Sequence, residues 1–394
     1  MNAVLLIPSF QNFTRMAIYL DYNSTTPVDP RVLETMLPYF TKQFGNASSK
    51  THSFGWVAEQ AVTDARQQVA KLIGAEDSEI VFTSGATEAI NLAMKGVFEA
   101  YSVQGKHIIT SATEHKAVLD TCAHLEKSGA RITILPVQPD GLIDPAELSN
   151  ALTDQTILVS IMYANNETGV IQNIRELSTI THDKGSIFMS DATQACGKIR
   201  VNTNEDGIDL LAMSAHKIYG PKGCGALFVR RKNPRVKLIA QIDGGGHEKG
   251  LRSGTLNVPG IVGFGKACEL ANERMWEDNL HISKLRSVLE QNLIDLGNIS
   301  VNGNTRNRLP NTSNLAFTGI KASTLIKHLP DIAVASGSAC TSALAEPSHV
   351  LRAMQIAEEI AYSSVRFSIG RTNTMDEINL CVEKIREFIS KEVH

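Results

Sequence analysis

The stretch Ser186-Ile-Phe-Met-Ser-Asp-Ala-Thr-Gln194 joins a short apolar run to a polar segment that begins with an acidic residue. Such a run is typical of a buried β-strand, and ligands of parallel sheets bind where the strands end. Similar runs precede it at Ile80–Thr83, His107–Thr110, Arg131–Leu135 and Thr156–Met162. The polar residues after Ser190 are therefore predicted to lie at the binding edge of a sheet.

Helical segments separate these runs. Apolar residues recur at helical spacing in Gln60–Ile73 and Ala89–Ala100, and Lys116–Ser128 and Pro145–Leu152 are also predicted helices. Strands that alternate with helices predict an α/β domain with a mostly parallel sheet.

The pattern changes near residue 265, where a long predicted helix begins. Shorter strands and helices follow it, at Gly263–Leu296, Thr312–Phe317, Val365–Ser368 and from Ala322 and Met375. This region indicates a smaller α+β domain. We expect a large domain at residues 28–270 and a small domain made of residues 1–27 and 271–394.

The composition excludes several classes of protein. The 394 residues include 38 basic and 41 acidic side chains, a formal charge of −3, which argues against a nucleic-acid surface. No apolar run approaches the ~20 residues of a membrane helix, and the first sixteen residues do not resemble a signal peptide. Six scattered cysteines without a C-x-x-C pair exclude a zinc finger and suit a reducing cytoplasm.

Ser214-Ala-His-Lys217 precedes the glycine-rich segment Gly220-Pro-Lys-Gly-Cys-Gly225. A lysine beside serine, histidine and glycines suits a Schiff-base lysine next to a phosphate group. The serine and histidine side chains can bond phosphate oxygens, and glycines allow the backbone to come close. The alternative is a surface lysine before a turn.

Asp191 and Gln194 follow the strand at Ser186–Ser190. A carboxylate there can keep a pyridine nitrogen protonated, which makes the ring an electron sink, and Gln194 can bond the phenolic oxygen of such a ring. The alternative for Asp191 is a helix N-cap.

Ser84-Gly-Ala-Thr-Glu88 leaves a strand and begins a helix. Free N–H groups at a helix N-terminus form an anion site, with the Thr87 hydroxyl as a further donor. The alternative is ordinary capping.

In Thr113-Glu-His115-Lys, the histidine can stack on a flat ring and move protons, or it is a surface histidine.

Three further residues are candidates. Asn166, after the strand at Thr156–Met162, can contact a ligand, and Arg366 can hold a carboxylate as a fork or form a surface ion pair. Cys340, in Ser336-Gly-Ser-Ala-Cys-Thr-Ser-Ala343, has only small neighbours, which indicates an exposed, reactive thiol. The alternative is that Cys340 is only a small residue packed in a turn. The other five cysteines are predicted to be structural.

Together these motifs resemble the cysteine desulfurases of the NifS/IscS type, within the class-V aminotransferases. The resemblance extends from Tyr19-Leu-Asp-Tyr-Asn-Ser-Thr-Thr-Pro27 to about Arg371, with Ala215 where many relatives have glycine. Its most specific parts are the motifs around His115, Asp191, Lys217 and Cys340, and Gly244-Gly-Gly-His-Glu248 with Arg252-Ser-Gly-Thr255.

The resemblance implies a pyridoxal phosphate enzyme of fold type I with a seven-stranded sheet. It implies that Lys217 forms a Schiff base with the cofactor and removes the Cα proton of L-cysteine, and that Cys340 attacks the substrate sulfur and becomes a persulfide. It also implies that Asp191 pairs with the pyridine nitrogen, that Gln194 bonds the phenolic oxygen and that His115 stacks on the ring. The implied phosphate ligands are Ala86, Thr87, Ser214 and His216, and Thr255 would contact the phosphate of the neighbouring subunit's cofactor. Asn166 and Arg366 would hold the substrate carboxylate.

The resemblance also implies partners. It implies a homodimer and sulfur-acceptor proteins, such as an iron–sulfur scaffold or a tRNA-thiolation enzyme, with Cys340 as a possible transient cluster ligand. Housekeeping members usually have a further C-terminal tail that docks the scaffold, and this sequence ends at His394. The alternatives are a selenocysteine lyase, another fold-type I enzyme such as an aminotransferase, or a catalytically idle sulfur-relay scaffold.

Overall fold

The computed structural model describes residues 17–336 and 347–392. The strands are β1 (Ile18–Tyr19), β2 (Ile80–Thr83), β3 (His107–Ser111), β4 (Arg131–Leu135), β5 (Thr156–Ser160), β6 (Ile187–Asp191), β7 (Leu210–Ser214), β8 (Gly225–Val229), β9 (Ile299–Val301), β10 (Thr312–Phe317), β11 (Ile332–Ala333), β12 (Ala335–Ser336) and β13 (Ser364–Ser368). The helices are α1 (Pro30–Met36), α2 (Pro38–Thr41), α3 (Ser53–Leu72), α4 (Ala86–Tyr101), α5 (Lys116–Lys127), α6 (Pro145–Ala151), α7 (Ile174–His182), α8 (Val258–Ile294), α9 (Ala322–Lys327), α10 (His349–Ala353), α11 (Glu358–Tyr362) and α12 (Met375–Glu392).

The central sheet has seven strands in the order β2-β8-β7-β6-β5-β3-β4. β8 is antiparallel to both of its neighbours, and the remaining pairs are parallel. The predicted α/β fold with a mostly parallel seven-stranded sheet is confirmed. Five of the strands lie where the apolar runs predict them. β7 and β8 were not predicted individually, since a short apolar run does not distinguish a strand from a buried helix.

Helices and loops cover both faces of this sheet. Consecutive strand residues point to opposite faces, and they divide between two buried clusters. Phe188 and Leu211 belong to one cluster, and Ile187, Met189 and Leu210 belong to the other. The sheet is therefore buried on both faces, as parallel sheets are, and only its edges and strand ends can bind ligands.

A third buried cluster lies around the four-stranded sheet β12-β13-β10-β9. It includes Ile18 and Leu20 from the start of the described chain and Ile378 from α12. β1 pairs in parallel with β11, so the N-terminal strand joins this cluster although it is distant in sequence. The division at residues 28–270 stays a prediction.

α8 spans 37 residues and contributes to two clusters, with Phe264 in the first and Leu289 in the third. The predicted boundary between residues 270 and 271 falls inside it. α8 begins at Val258 instead of Gly263, because Asn257 caps the helix by accepting a hydrogen bond from the Gly260 N–H. No helix in the two described ranges is both long enough and apolar enough to cross a membrane.

Candidate functional site

A cleft of about 680 Å³ lies at the carboxyl edge of the central sheet. The segments that follow β2, β3, β5, β6 and β7 all contribute to it, because parallel strands end at the same edge. Ten of the predicted site residues line this cleft: Ala86, Thr87, His115, Asn166, Asp191, Gln194, Ser214, His216, Lys217 and Arg366. The structure thus brings together residues that are 280 positions apart at the extremes (86 to 366).

Lys217 presents its amine to the cleft from the turn after β7. Its Nζ donates to the backbone carbonyls of Asn23 at 2.6 Å and Ser24 at 2.8 Å. Burial and then the positive charge of Arg366 lower the pKa of Lys217 to about 8, against the raising effect of Asp191. The alternative of an ordinary surface lysine does not fit this environment. About a tenth of this amine is neutral at pH 7.

Asp191 ends β6 and is buried. Its Oδ1 accepts from the Thr193 N–H at 3.0 Å, so it caps a turn and also lines the cleft. The capping alternative is thus met by a turn and not by a helix, and the pairing of Asp191 with a pyridine nitrogen stays a prediction. The Thr193 Oγ1 is buried and has no hydrogen-bond partner within the described residues. Gln194, on the same turn, donates from Nε2 to the Asn23 carbonyl at 2.9 Å.

The N-terminus of α4 forms the other end of the cleft. Gly85 precedes the helix and supplies no capping side chain, so the first N–H groups of a 16-residue helix are not capped by it. Gly85 has φ 157° and ψ 179°, a conformation restricted to glycine, and an added Cβ would lie 3.8 Å from the Ser214 Oγ. The helix dipole, an open backbone and a hydroxyl here favour an anion.

His216 and Glu88 adjoin this anion site. The His216 Nδ1 contacts the Thr25 Oγ1 at 3.1 Å, and burial lowers the pKa of His216 to about 4, so the ring is neutral at pH 7. The Glu88 Oε2 accepts from the Ser84 N–H at 2.8 Å, and its Oε1 accepts from Arg252 at 2.8 Å. This pair ties the loop before Thr255 to the first turn of α4.

His115 is the N-cap of α5, and its Nδ1 accepts from the Ala117 N–H at 3.1 Å. Burial lowers its pKa below the ordinary histidine value, opposed by the Asp191 carboxylate. A neutral ring whose Nδ1 accepts carries its proton on Nε2. His115 can therefore donate one hydrogen bond from Nε2 while its position is fixed by the helix.

Arg366, on β13, comes into the cleft from the second sheet. It is buried, and its guanidinium donates to Asp21 Oδ1 at 2.6 Å, to the Ser24 Oγ at 3.0 Å and to the Asn166 carbonyl at 3.0 Å. The ion pair foreseen as an alternative exists, but it is buried and not on the surface. The Arg366 Nε is buried without a partner among the described residues, so its N–H remains for a ligand.

Two predicted site residues lie elsewhere. Thr255 is exposed and does not line the cleft of this chain, so its contact with a neighbouring subunit's cofactor stays a prediction. Cys340 lies outside the described residues. The remaining cysteines are free and buried, as predicted, and burial raises the pKa of each thiol: Cys122, Cys196, Cys224, Cys268 and Cys381.

Sequence reasoning missed the role of Asn23. Its backbone carbonyl accepts from both Lys217 and Gln194, and its side-chain Nδ2 donates to the Asn166 carbonyl at 3.1 Å. Its Oδ1 accepts from Lys198 at 3.2 Å. Asn23 belongs to the N-terminal motif that carried the resemblance, but nothing in that motif indicated that it connects these residues.

The buried Glu114 was also missed. Its Oε1 accepts from the Met162 N–H at 2.6 Å and from the Ser111 Oγ at 3.0 Å, and burial raises its pKa to about 8. It fixes the segment after β5 next to His115. Its position directly before His115 was the only signal in the sequence.

These residues fit a phosphate-bearing pyridine aldehyde. The uncapped N-terminus of α4 suits the phosphate, the Lys217 amine suits the aldehyde, and the Asp191 carboxylate suits a protonated ring nitrogen. The unpaired Thr193 hydroxyl is a buried polar group that lacks a partner in the part of the chain that the structure describes. A cleft with these groups has the donor set that pyridoxal phosphate needs.

Comparison with known proteins gives the same result. The family model described as aminotransferase class-V matches residues 18–380. A cysteine desulfurase IscS of Anaeromyxobacter sp. (strain Fw109-5) is 54% identical over 380 residues, which cover 95% of this chain and 93% of that protein.

Two solved structures are also similar. A NifS-like protein superposes with a TM-score of 0.89 at 39% identity, covering 95% of this chain and all of that one. A structure described as SspA in complex with cysteine has a TM-score of 0.80 at 35% identity, covering 91% of this chain and all of that one. The resemblance drawn from the motifs is confirmed.

Proposed function

Because this chain belongs to the aminotransferase class-V family, we propose that it is a cysteine desulfurase that converts L-cysteine to L-alanine and retains the sulfur. The observation that carries the proposal is the single cleft in which Lys217, Asp191, His115 and Arg366 meet. Such a cleft offers an amine, a carboxylate, an imidazole and a guanidinium to one substrate.

Pyridoxal phosphate is the cofactor of this family. When bound, its protonated ring accepts electrons from the substrate Cα. Lys217 would hold its aldehyde carbon, Asp191 its ring nitrogen and Gln194 its phenolic oxygen, while His115 would stack on the ring. The phosphate would lie at the N-terminus of α4, against Ala86, Thr87, Ser214 and His216.

Lys217 acts on the proton at Cα. An amine with a pKa of about 8 is neutral often enough to take this proton near pH 7 and basic enough to return it. The carbonyls of Asn23 and Ser24 accept from the Lys217 Nζ, so they can also stabilise the ammonium that it becomes. Lys217 therefore moves a proton without leaving the cleft.

Arg366 and Asn166 hold the substrate carboxylate, and Cys340 takes the sulfur. The Cys340 thiolate attacks the substrate sulfur, and an S–S bond forms while the C–S bond breaks. The electron pair of the C–S bond passes to Cβ, which takes up a proton. The products are L-alanine and a persulfide on Cys340. Ser336, four residues before Cys340, pairs with Val365 next to Arg366, which supports this role.

We place the enzyme in a homodimer in the cytoplasm. Exposed Thr255 follows a loop that is tied to α4 by Arg252 and Glu88, which supports a contact with a second subunit's cofactor. The five cysteines in the described residues are all free, which supports a reducing compartment. The persulfide would pass to an acceptor protein for iron–sulfur cluster assembly or tRNA thiolation, with Cys340 as a transient cluster ligand.

The direct test is to incubate the purified protein with pyridoxal phosphate, a dithiol and L-cysteine, and to quantify alanine and sulfide together. Equal amounts of alanine and sulfide are expected. A coloured protein that forms alanine only from selenocysteine would favour a selenocysteine lyase, and amino transfer to a keto acid would favour an aminotransferase. A colourless, inactive protein would favour a sulfur-relay scaffold.

Replacing Arg366 with lysine is expected to raise KM for L-cysteine roughly 10- to 100-fold, because an ammonium lacks the planar fork that binds a carboxylate. Steady-state sulfide release at varied cysteine measures this. Arg230→Lys is the matched control, since Arg230 is a buried arginine that does not line the cleft. A KM that is unchanged in Arg366→Lys, or raised equally in Arg230→Lys, would contradict the assignment.

The rate at which pyridoxal phosphate reconstitutes the cofactor-free protein should rise about tenfold per pH unit below pH 8 and level off above it. Only the neutral amine attacks the aldehyde, and a pKa of about 8 makes its neutral fraction at pH 7 roughly 300-fold larger than an ordinary lysine's. The visible absorbance follows the reaction, with an N-α-acetylated lysine as control. A rate that climbs in parallel with that control to pH 10 would refute the lowered pKa.

A further inference from the structure

A helical turn after β6 places Gln194 and Lys198 on one face. The Cys196 N–H donates to the Ala192 carbonyl at 2.9 Å, and the Ile199 N–H donates to the Ala195 carbonyl at 3.0 Å. Residues four apart on such a turn are neighbours. Gln194 lines the cleft, whereas Lys198 lies behind it and lines a separate cavity of about 30 Å³.

The two side chains are hydrogen-bonded in a chain that includes Asn23. The Lys198 Nζ donates to the Gln194 Oε1 at 2.5 Å and to the Asn23 Oδ1 at 3.2 Å. The Gln194 Nε2 donates to the Asn23 carbonyl at 2.9 Å. A backbone carbonyl only accepts, and lysine has N–H groups for both oxygens in either protonation state. If the Gln194 amide were flipped, its Oε1 would face the Asn23 carbonyl oxygen, and its Nε2 N–H groups would face those of Lys198.

The backbone of Lys198 is held as firmly as its amine. The Asn279 Nδ2, from α8, donates to the Lys198 carbonyl at 2.6 Å. Gly197 has φ 75°, and a Cβ there would lie 2.6 Å from the Ile218 Cγ2, so glycine lets the turn pack against the segment that carries Lys217. These contacts with α8 and with the segment that carries Lys217 fix the backbone position of Lys198.

The stability of the fold does not explain a lysine at this position. No carboxylate within the described residues forms an ion pair with Lys198, and its amine meets only neutral oxygens. Burial, with the nearby charges of Lys217 and Arg366, holds the pKa of Lys198 well below its ordinary value. Burying an amine without a countercharge is unfavourable, and a methionine of similar length would avoid that cost.

We propose that Lys198 is a positioning residue that holds the Gln194 amide with its N–H₂ group toward the cleft, so that Gln194 donates a hydrogen bond to the cofactor's phenolic oxygen. Gln194 has two N–H bonds on Nε2. One is used by the Asn23 carbonyl, and the other is left for the ligand. The inference rests on the proposed function, because it needs pyridoxal phosphate in the cleft with its oxygen at Gln194.

The test is a spectroscopic pH titration of the holoenzyme without substrate. A donor to the phenolic oxygen favours the deprotonated form of the Lys217-bound cofactor, so loss of the donor raises the midpoint of the absorbance change. We expect Lys198→Met to raise it by roughly half to one pH unit, as Gln194→Ala does, and Lys198→Arg to restore most of the shift. In the double variant Gln194→Ala with Lys198→Met, no additional shift is expected.

The variants separate the possible failures. No shift in Gln194→Ala overturns the assignment of Gln194 and this inference together. A shift in Gln194→Ala without one in Lys198→Met overturns the inference alone, as do fully additive shifts in the double variant. Lys384→Met is the matched control, since Lys384 pairs with Asp331 outside both cavities. Thermal unfolding of the cofactor-free variants measures how far Lys198→Met weakens the fold. If lower stability is its only effect, the titration midpoint stays unchanged and the inference is overturned.

Discussion

Replacing Lys217 with alanine abolishes the visible absorbance of covalently held pyridoxal phosphate and lowers L-cysteine turnover at least about 1,000-fold. Lys217 supplies both the amine that holds the cofactor and the base at the substrate Cα, so one change removes two functions. Its lowered pKa of about 8 comes from burial and from Arg366, an environment that a substitute base in solution does not share. Absorption spectra and sulfide release measure the two losses separately.

Lys222→Ala is the matched control for this variant. Lys222 also lines the cleft, but it is the Lys217 Nζ that donates to the carbonyls of Asn23 and Ser24. We expect Lys222→Ala to retain the absorbance and most of the activity. If Lys217→Ala keeps the absorbance band while Lys222→Ala loses it, Lys222 and not Lys217 binds the cofactor.

Replacing Cys340 with alanine removes sulfide release, again by at least about 1,000-fold, while cofactor absorbance is retained. The reason lies partly in the other cysteines. Burial raises the pKa of Cys122, Cys196, Cys224 and Cys381 to about 12, so these thiols hardly ionise at pH 7 and cannot substitute as nucleophiles.

Cys381→Ala serves as the control, because Cys381 is buried in the third cluster, away from the cleft. It should release sulfide at nearly the normal rate once folded. Mass spectrometry after one turnover should find an added sulfur atom on the peptide that contains Cys340. Sulfide release that survives in Cys340→Ala would remove this cysteine from the mechanism.

Much of the site could be predicted because its residues directly follow strands. Asp191, His115 and Lys217 each come at or shortly after the end of an apolar run, and the carboxyl ends of parallel strands converge. The pattern therefore predicted five of the seven strands and the edge at which their polar residues meet, although β7, which precedes Lys217, was not predicted individually. The same logic predicted Asn166, which lines the cleft although β5 ends at Ser160 and not at Met162; its contact with a ligand stays a prediction.

Other features could not be predicted, because they depend on contacts between distant segments. Gln194 and Asn23 are 171 residues apart, and Lys217 and Asn23 are 194 apart. No periodicity links such positions. The burial of Arg366 likewise depends on the N-terminal segment, since Asp21 and Ser24 cover its guanidinium. From sequence alone, an arginine in a short strand indicates an exposed ion pair equally well.

The length of α8 ties the stabilities of two regions together. A helix of 37 residues is about 55 Å long, and it buries Phe264 at one end and Leu289 towards the other. Melting the cluster around Leu289 would leave the second half of the helix without its packing, and it would fray back towards the first. Heat or denaturant should therefore unfold both regions in one cooperative transition, although each has a core of its own.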